Sequence, residues 1–150
     1  MKRRKAREYA LQFLYRIDFV NVSPENNKGT KRIPDIKNNL EIFWADTEEK
    51  DSDTKAFAED IISGTIKNLK EIDPLIQKTA KKWNISRMAS IDRNILRFAA
   101  YELLFRKDIP TAVTINEALE IAKKYSTLES APFINGILDK IAKEHAKKMK

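Results

Sequence analysis

Apolar residues recur every three or four positions along most of the chain, the repeat that gathers them on one face of a helix. The fullest pattern lies in residues 86–110. There Ile91, Ile95, Leu96, Phe98, Ala99 and Leu103 form a stripe, and Ala100 and Leu104 widen it past a single face. A helix apolar round most of its circumference is buried among other helices. Ser90 is placed to cap its start. Asp108-Ile109-Pro110 is placed to stop it, because the residue before a proline is pushed out of helical geometry. The pattern predicts a central buried helix with the remaining segments packed round it.

The same repeat predicts six more helices. Residues 4–20 carry Ala6, Ala10, Phe13, Leu14 and Ile17 on one stripe, and residues 35–46 carry Ile36, Leu40, Phe43 and Trp44. Residues 53–72 turn Phe57, Ile61, Ile62, Ile66 and Leu69 inward, with Ser52 or Asp53 as the cap. Gly64 sits within this helix at a cost of about 1 kcal/mol relative to alanine, which predicts close approach by another helix. Asp73-Pro74 suits an N-cap and first helical position, so a new helix is predicted over 74–83, burying Leu75, Ile76, Ala80 and Trp83. Thr114 and Glu117 have the spacing of a capping box for a helix over 115–125. The last helix starts near Ser130 and buries Phe133, Ile134, Ile137, Leu138 and Ile141. Residues 21–34, with Ser23-Pro24, Asn26-Asn27, Gly29 and Ile33-Pro34, read as a loop. No segment has a convincing strand pattern and none repeats. The expectation is one all-α domain over residues 1–150.

Composition removes several chemistries. Three glycines, scattered, cannot build a phosphate-cradling loop. The chain has no cysteine, so disulfides, thiolate nucleophiles and Cys-ligated zinc are excluded. The one histidine, His145, lies in a lysine-rich tail without the partners of a triad or zinc site. Asp46, Glu48, Glu49, Asp51 and Asp53 form an acidic run that opposes the basic N-terminus. It lacks the glycine and bidentate glutamate spacing of an EF-hand and reads as a solvated turn. No metal, no cofactor and no catalysis are expected. The lack of cysteine suits a reducing cytoplasm, and no apolar run approaches the roughly 20 residues of a spanning helix, so no membrane is expected.

Charge points to a partner. The net charge of +7 and pI near 9.5 favour a polyanion. Lys2, Arg3, Arg4, Lys5 and Arg7 crowd the start of the first helix. Cations there oppose the helix dipole at about 0.3–1 kcal/mol each, a conflict that an incoming phosphate would relieve. The competing reading is a frayed terminus that aids solubility. Arginine grips phosphate and stacks on unpaired bases, and aromatics near basic residues offer further platforms. Tyr9 and Tyr15 follow the basic run, Tyr125 follows Lys123-Lys124, and Phe133 opens the last helix. Each is also a candidate for core packing, Phe133 more so than Tyr15 or Tyr125.

Four blocks, in order, resemble the NusB family of bacterial antitermination factors. They are residues 3–15, residues 91–103 with Asp108-Ile109-Pro110, Ile115-Asn116-Glu117-Ala118, and residues 133–140. The resemblance implies an all-helical fold of two small packed bundles around the central helix. It implies binding to boxA RNA with NusE, a small-subunit ribosomal protein, and indirect action on RNA polymerase with other Nus factors. Some family members self-associate, so a homodimer is a further expectation. By position, Lys2, Arg3, Arg4, Lys5 and Arg7 become the RNA contact, with Tyr15 close by. Tyr125, Glu129 and Phe133 become a second RNA-facing region. Asp92 matches an acidic position on the NusE face, and Arg93 and Arg97 continue that polar edge. Glu129 is acidic where RNA is expected, and Ala131-Pro132 replaces a basic side chain found in some relatives. Two rivals remain: the RNA-binding part of an rRNA methyltransferase, and a protein-interaction module that binds no RNA.

Overall fold

The computed structural model describes residues 2–21 and 36–145, and among them the only regular structure is helical. The order is α1 (Lys2–Asn21), α2 (Ile36–Ala45), α3 (Ser52–Lys67), α4 (Leu69–Thr79), a single 3-10 turn (Ile85–Arg87), α5 (Ser90–Phe105), α6 (Thr111–Tyr125) and α7 (Ser130–His145). The predicted loop after Asn21 and the end of the lysine-rich tail lie outside the described residues. The chain divides into two compact units, Met1–Ser63 and Gly64–Lys150, so the division falls within α3.

The first unit closes on an aromatic cluster. α1 buries Ala6, Ala10, Leu11, Phe13 and Leu14, while α2 buries Leu40 and Phe43. Phe13 meets Phe43 edge-on at 5.4 Å, and Tyr9 meets Trp44 edge-on at 5.2 Å. Edge-to-face pairs let a ring's positive rim meet a negative face, adding about 0.5–1.5 kcal/mol to burial. The Trp44 indole N–H donates to Glu59 of α3 at 2.7 Å, so its polar atom is satisfied within the packing.

In the second unit α5 is the core element, with α4, α6 and α7 packed against it. Its buried face includes Ile95, Leu96, Phe98, Ala99, Ala100 and Leu103, as the stripe predicts. Fully burying one such large aliphatic or aromatic side chain contributes about 1.5–3 kcal/mol. Gly64, in the last turns of α3, lies against the Tyr101 ring of α5, and any side chain there would overlap that ring. The close approach predicted from glycine's cost is present.

Several boundaries differ from the sequence reading. The break between the third and fourth helices falls at Asn68, whose side-chain amide donates to the Gly64 carbonyl at 2.8 Å. Pro74 lies inside α4 rather than at its start. Ile72 and Ile76, four apart, are both fully buried, and their combined burial outweighs the roughly 3 kcal/mol of an interior proline. The cap of α3 is Asp51, not Ser52 or Asp53: its carboxylate accepts from the Thr54 N–H at 2.9 Å and the Thr54 hydroxyl at 2.8 Å. Ser90 is the first residue of α5 rather than its cap, and accepts through its carbonyl from the Asn94 amide at 2.9 Å. α5 ends at Phe105, ahead of Asp108-Ile109-Pro110, and Pro110 instead opens α6 from the N-cap position. That places Thr114 in the helix interior, where its hydroxyl donates to buried Glu102 at 2.9 Å in place of a capping box. Trp83 is 56% exposed, because α4 has already ended at Thr79.

Candidate nucleic-acid interface

α1 carries its cations on two sides. Lys2, Lys5, Tyr9 and Arg16 follow at helical intervals and form one stripe. That stripe meets the acidic segment between α2 and α3. Lys2 lies 3.3 Å from Asp51 and 3.6 Å from Asp53, Lys5 lies 3.5 Å from Glu49, and Arg16 lies 3.7 Å from Asp46. The Tyr9 hydroxyl donates to Glu49 at 3.0 Å. On the other side, the Arg3 and Arg7 guanidiniums sit over the Phe57 ring of α3 at 4.6 and 5.2 Å. Arg3 is exposed and Arg4 half-buried, whereas Arg7 is buried. Arg7 thus anchors α1 through its stem and through the Phe57 face, an attraction of about 0.5–2 kcal/mol. Tyr15 is 43% exposed and returns to the side of Arg4 after three turns.

These contacts shift the protonation of four groups. The hydrogen bond and charge of Asp51 raise the Lys2 ammonium above its ordinary range, and Asp53 adds to this. Burial, followed by the bond to Glu49, raises the Tyr9 phenol. The Asp51 backbone N–H holds the Glu49 carboxyl below its ordinary value, assisted by Tyr9 and Lys5. The Thr54 N–H and hydroxyl hold Asp51 down in the same way, with Lys2 contributing less. Of the acidic run, expected to be a solvated turn, Asp46 and Asp53 are 65% and 83% exposed, whereas Glu49, its side chain only 11% exposed, is built into the first unit. Sequence reasoning noted the opposing charges and missed the pairing. It also assigned Phe57 to the core alone, without its role under two arginines.

The remaining candidates lie in the second unit. Tyr125 ends α6, half-buried, with the Lys124 ammonium over its ring at 5.3 Å. Glu129 is exposed in the turn before α7. Phe133 is half-buried and packs edge-on against Trp83 at 5.3 Å, so the exposed tryptophan has a place beside it. The polar edge of α5 is engaged within the fold. Asp92 accepts from the Ser126 hydroxyl at 2.7 Å and the Ser130 hydroxyl at 2.9 Å, tying the α6–α7 turn to the start of α5. Arg93 donates to the carbonyls of Ile85 at 3.0 Å and Met88 at 3.2 Å. Arg97 grips Asp73 of α4 with two bonds of 2.9 and 2.8 Å. Asp73, expected as a cap, is thus the anchor for an arginine 24 residues on.

Among the described residues no group of three or more acidic or histidine side chains is arranged to hold a metal ion. No helix among them is long and apolar enough to cross a membrane.

Comparison with known proteins places this geometry in context. The profile of the NusB family matches residues 4–143. A transcription antitermination protein NusB from Thermodesulfovibrio yellowstonii is 58% identical, over 96% of this chain and 93% of that one. The protein of the same name from Desulfitobacterium hafniense is 45% identical, over 99% and 93%. Among solved structures, T. maritima NusB is 41% identical with a TM-score of 0.79, covering 97% of this chain and 93% of that one. A chain from the crystal structure of the antitermination factors NusB and NusE with double-stranded RNA is 25% identical. Its TM-score is 0.78, and it covers 96% of this chain and 98% of its own.

Proposed function

The chain belongs to the NusB family, and from that premise we propose that it is a transcription antitermination factor that binds boxA-type RNA together with NusE on ribosomal RNA operons. The observation that carries this reading is the cationic opening of α1, an ordered helix with Arg3 and Arg4 at its start and Tyr15 further along the side of Arg4. Arginine forks match phosphate oxygens, and a tyrosine face accepts an unpaired base. Tyr125, Glu129 and Phe133 form a second RNA-facing region in this reading, and both units serve one RNA-binding domain. NusE docks at the α5 edge, where Asp92, Arg93 and Arg97 act by holding the surface in shape. Other Nus factors and RNA polymerase are reached through that assembly, in the cytoplasm and with no reaction catalysed. A homodimer is a competing state of the same chain.

The test is titration of labelled boxA RNA and a scrambled control, with and without NusE. The expected outcome is preference for boxA that NusE strengthens. Substituting Arg3→Ala with Arg4→Ala is expected to weaken binding about tenfold or more at low salt. The slope of log affinity against log salt should fall by about 1.5, the share of two phosphate contacts. Unchanged affinity and slope in the double variant would remove α1 as the RNA site.

A further inference from the structure

The cationic stripe of α1 already has an anion on it. Four separate pairs join Lys2, Lys5 and Arg16 to the 46–53 segment, at N–O distances of 3.3–3.7 Å. Those distances exceed the roughly 2.7–2.9 Å of a tight charge-assisted bond. The cations are exposed, with side-chain exposures of 64% for Lys2, 61% for Lys5 and 51% for Arg16. Two of the carboxylates, by contrast, are held in place without them. Glu49 accepts from the Asp51 N–H at 3.1 Å, and Asp51 accepts from Thr54. Fixed acids therefore face movable cations, and a cation can leave while these two acids keep their backbone donors.

We propose that the acidic segment 46–53 is an intramolecular stand-in for the RNA backbone, which RNA phosphates displace from Lys2, Lys5 and Arg16 when they bind. This rests on the reading of α1 as the RNA site. For Lys2 and Lys5, in the first turn of α1, the pairing resolves within the chain their conflict with the positive end of the helix dipole. It sets a threshold on affinity and not a sequence preference, because any RNA that uses these cations must first displace the same carboxylates. Weak, non-cognate RNA is then held off, while an RNA making additional contacts still binds.

The test uses the full chain with Asp46→Asn and Asp53→Asn together. These two carboxylates are 65% and 83% exposed, whereas Glu49 and Asp51 also hold backbone of the segment. Binding is measured to boxA RNA, its scrambled control and poly(U). Each exposed pair corresponds to about a 1.4- to 5-fold effect, so the double variant should bind all three RNAs roughly 2- to 25-fold tighter at low salt. Preference for boxA should stay as in the parent, and the gain should shrink toward 1 M salt, where screening acts over about 3 Å. Asp139→Asn with Glu144→Gln, which removes two exposed carboxylates on α7, matches the change in net charge and should give less than a twofold gain. No gain in the double variant, or an equal gain in the control, overturns the stand-in while a preference for boxA still supports the proposed function. A gain on every RNA without any preference for boxA upholds the stand-in and removes the boxA reading. Absence of binding to all three RNAs overturns both.

Discussion

The α1 stripe and the α5 edge use the same residue types for opposite ends. In α1, lysine and arginine face acids at 3.3–3.7 Å with side chains mostly in water. At the α5 edge, Arg97 and Asp73 meet at 2.8 Å with the arginine side chain 13% exposed, and Asp92 is 9% exposed under two serine hydroxyls. Exposed pairs contribute about 0–1 kcal/mol, since water and salt screen them and long side chains lose entropy. Removing one partner of a buried pair costs about 3–5 kcal/mol, because a charge is left without its counterpart. The first network can therefore be exchanged for a ligand, and the second holds the fold. A charged residue at a helix edge is informative about binding only once its burial is known.

The largest expected effect breaks the buried side of this contrast. Arg97→Ala should cost about 2–3 kcal/mol in urea unfolding, below the buried-pair range because Asp73 is 29% exposed and can be partly rehydrated. Loss of less than 1 kcal/mol would place the α5 network in the same class as the α1 stripe. A middle-sized effect comes from packing. Gly64→Ala raises helix propensity by up to about 1 kcal/mol but drives a methyl into the Tyr101 ring. That ring stacks on Phe105 at 5.6 Å, so it lacks an easy retreat. Overpacking of about 1–3 kcal/mol wins, and the variant should be net destabilised by roughly 1 kcal/mol. Adding Tyr101→Leu should recover stability relative to Gly64→Ala alone; a further loss instead would show that Tyr101 is not the obstacle.

The smallest effect sharpens the exposed side. Glu49 and Asp51 have folded-state pKa values below their ordinary range, so folding favours their ionised forms. Their contribution is complete above an ordinary carboxylate pKa near 4 and is lost as pH falls through the lowered folded-state values. The groups facing them are Lys2, Lys5, Tyr9, Asp53 and Thr54. Thermal midpoints should therefore fall on acidification below about pH 4, and Glu49→Gln with Asp51→Asn should flatten that fall. Equal slopes in parent and variant would mean these contacts are not formed in solution.

Helix count and the buried stripe of α5 were legible in the sequence because apolar periodicity is local, and a 3.6-residue repeat survives any tertiary arrangement. Gly64 was legible because its cost needed a neighbour. Boundaries were less so. Pro74 and Thr114 carry start signals, yet both lie inside helices, α4 because Ile72 and Ile76 bury together and α6 because Pro110 begins it. Local preference of about 1 kcal/mol yields to burial of several. Of the candidate site, the basic opening of α1 was readable from its density alone. Phe57 and the acids that meet that opening were not, because the partners lie about 40 residues away, as with Tyr9 and Glu49.

The amino-acid sequence by itself determined an all-helical chain, a buried α5, a cationic first helix and the family. The physical reason is that periodicity, charge density and motif order are properties of neighbours along the chain. Tertiary structure alone decided which charges are available. Asp92, Arg93 and Arg97 went to the fold, and Lys2, Lys5 and Arg16 went to loose pairs with the 46–53 acids. Burial and distance set the strength of a charge pair, and both are created only when segments far apart in sequence pack together.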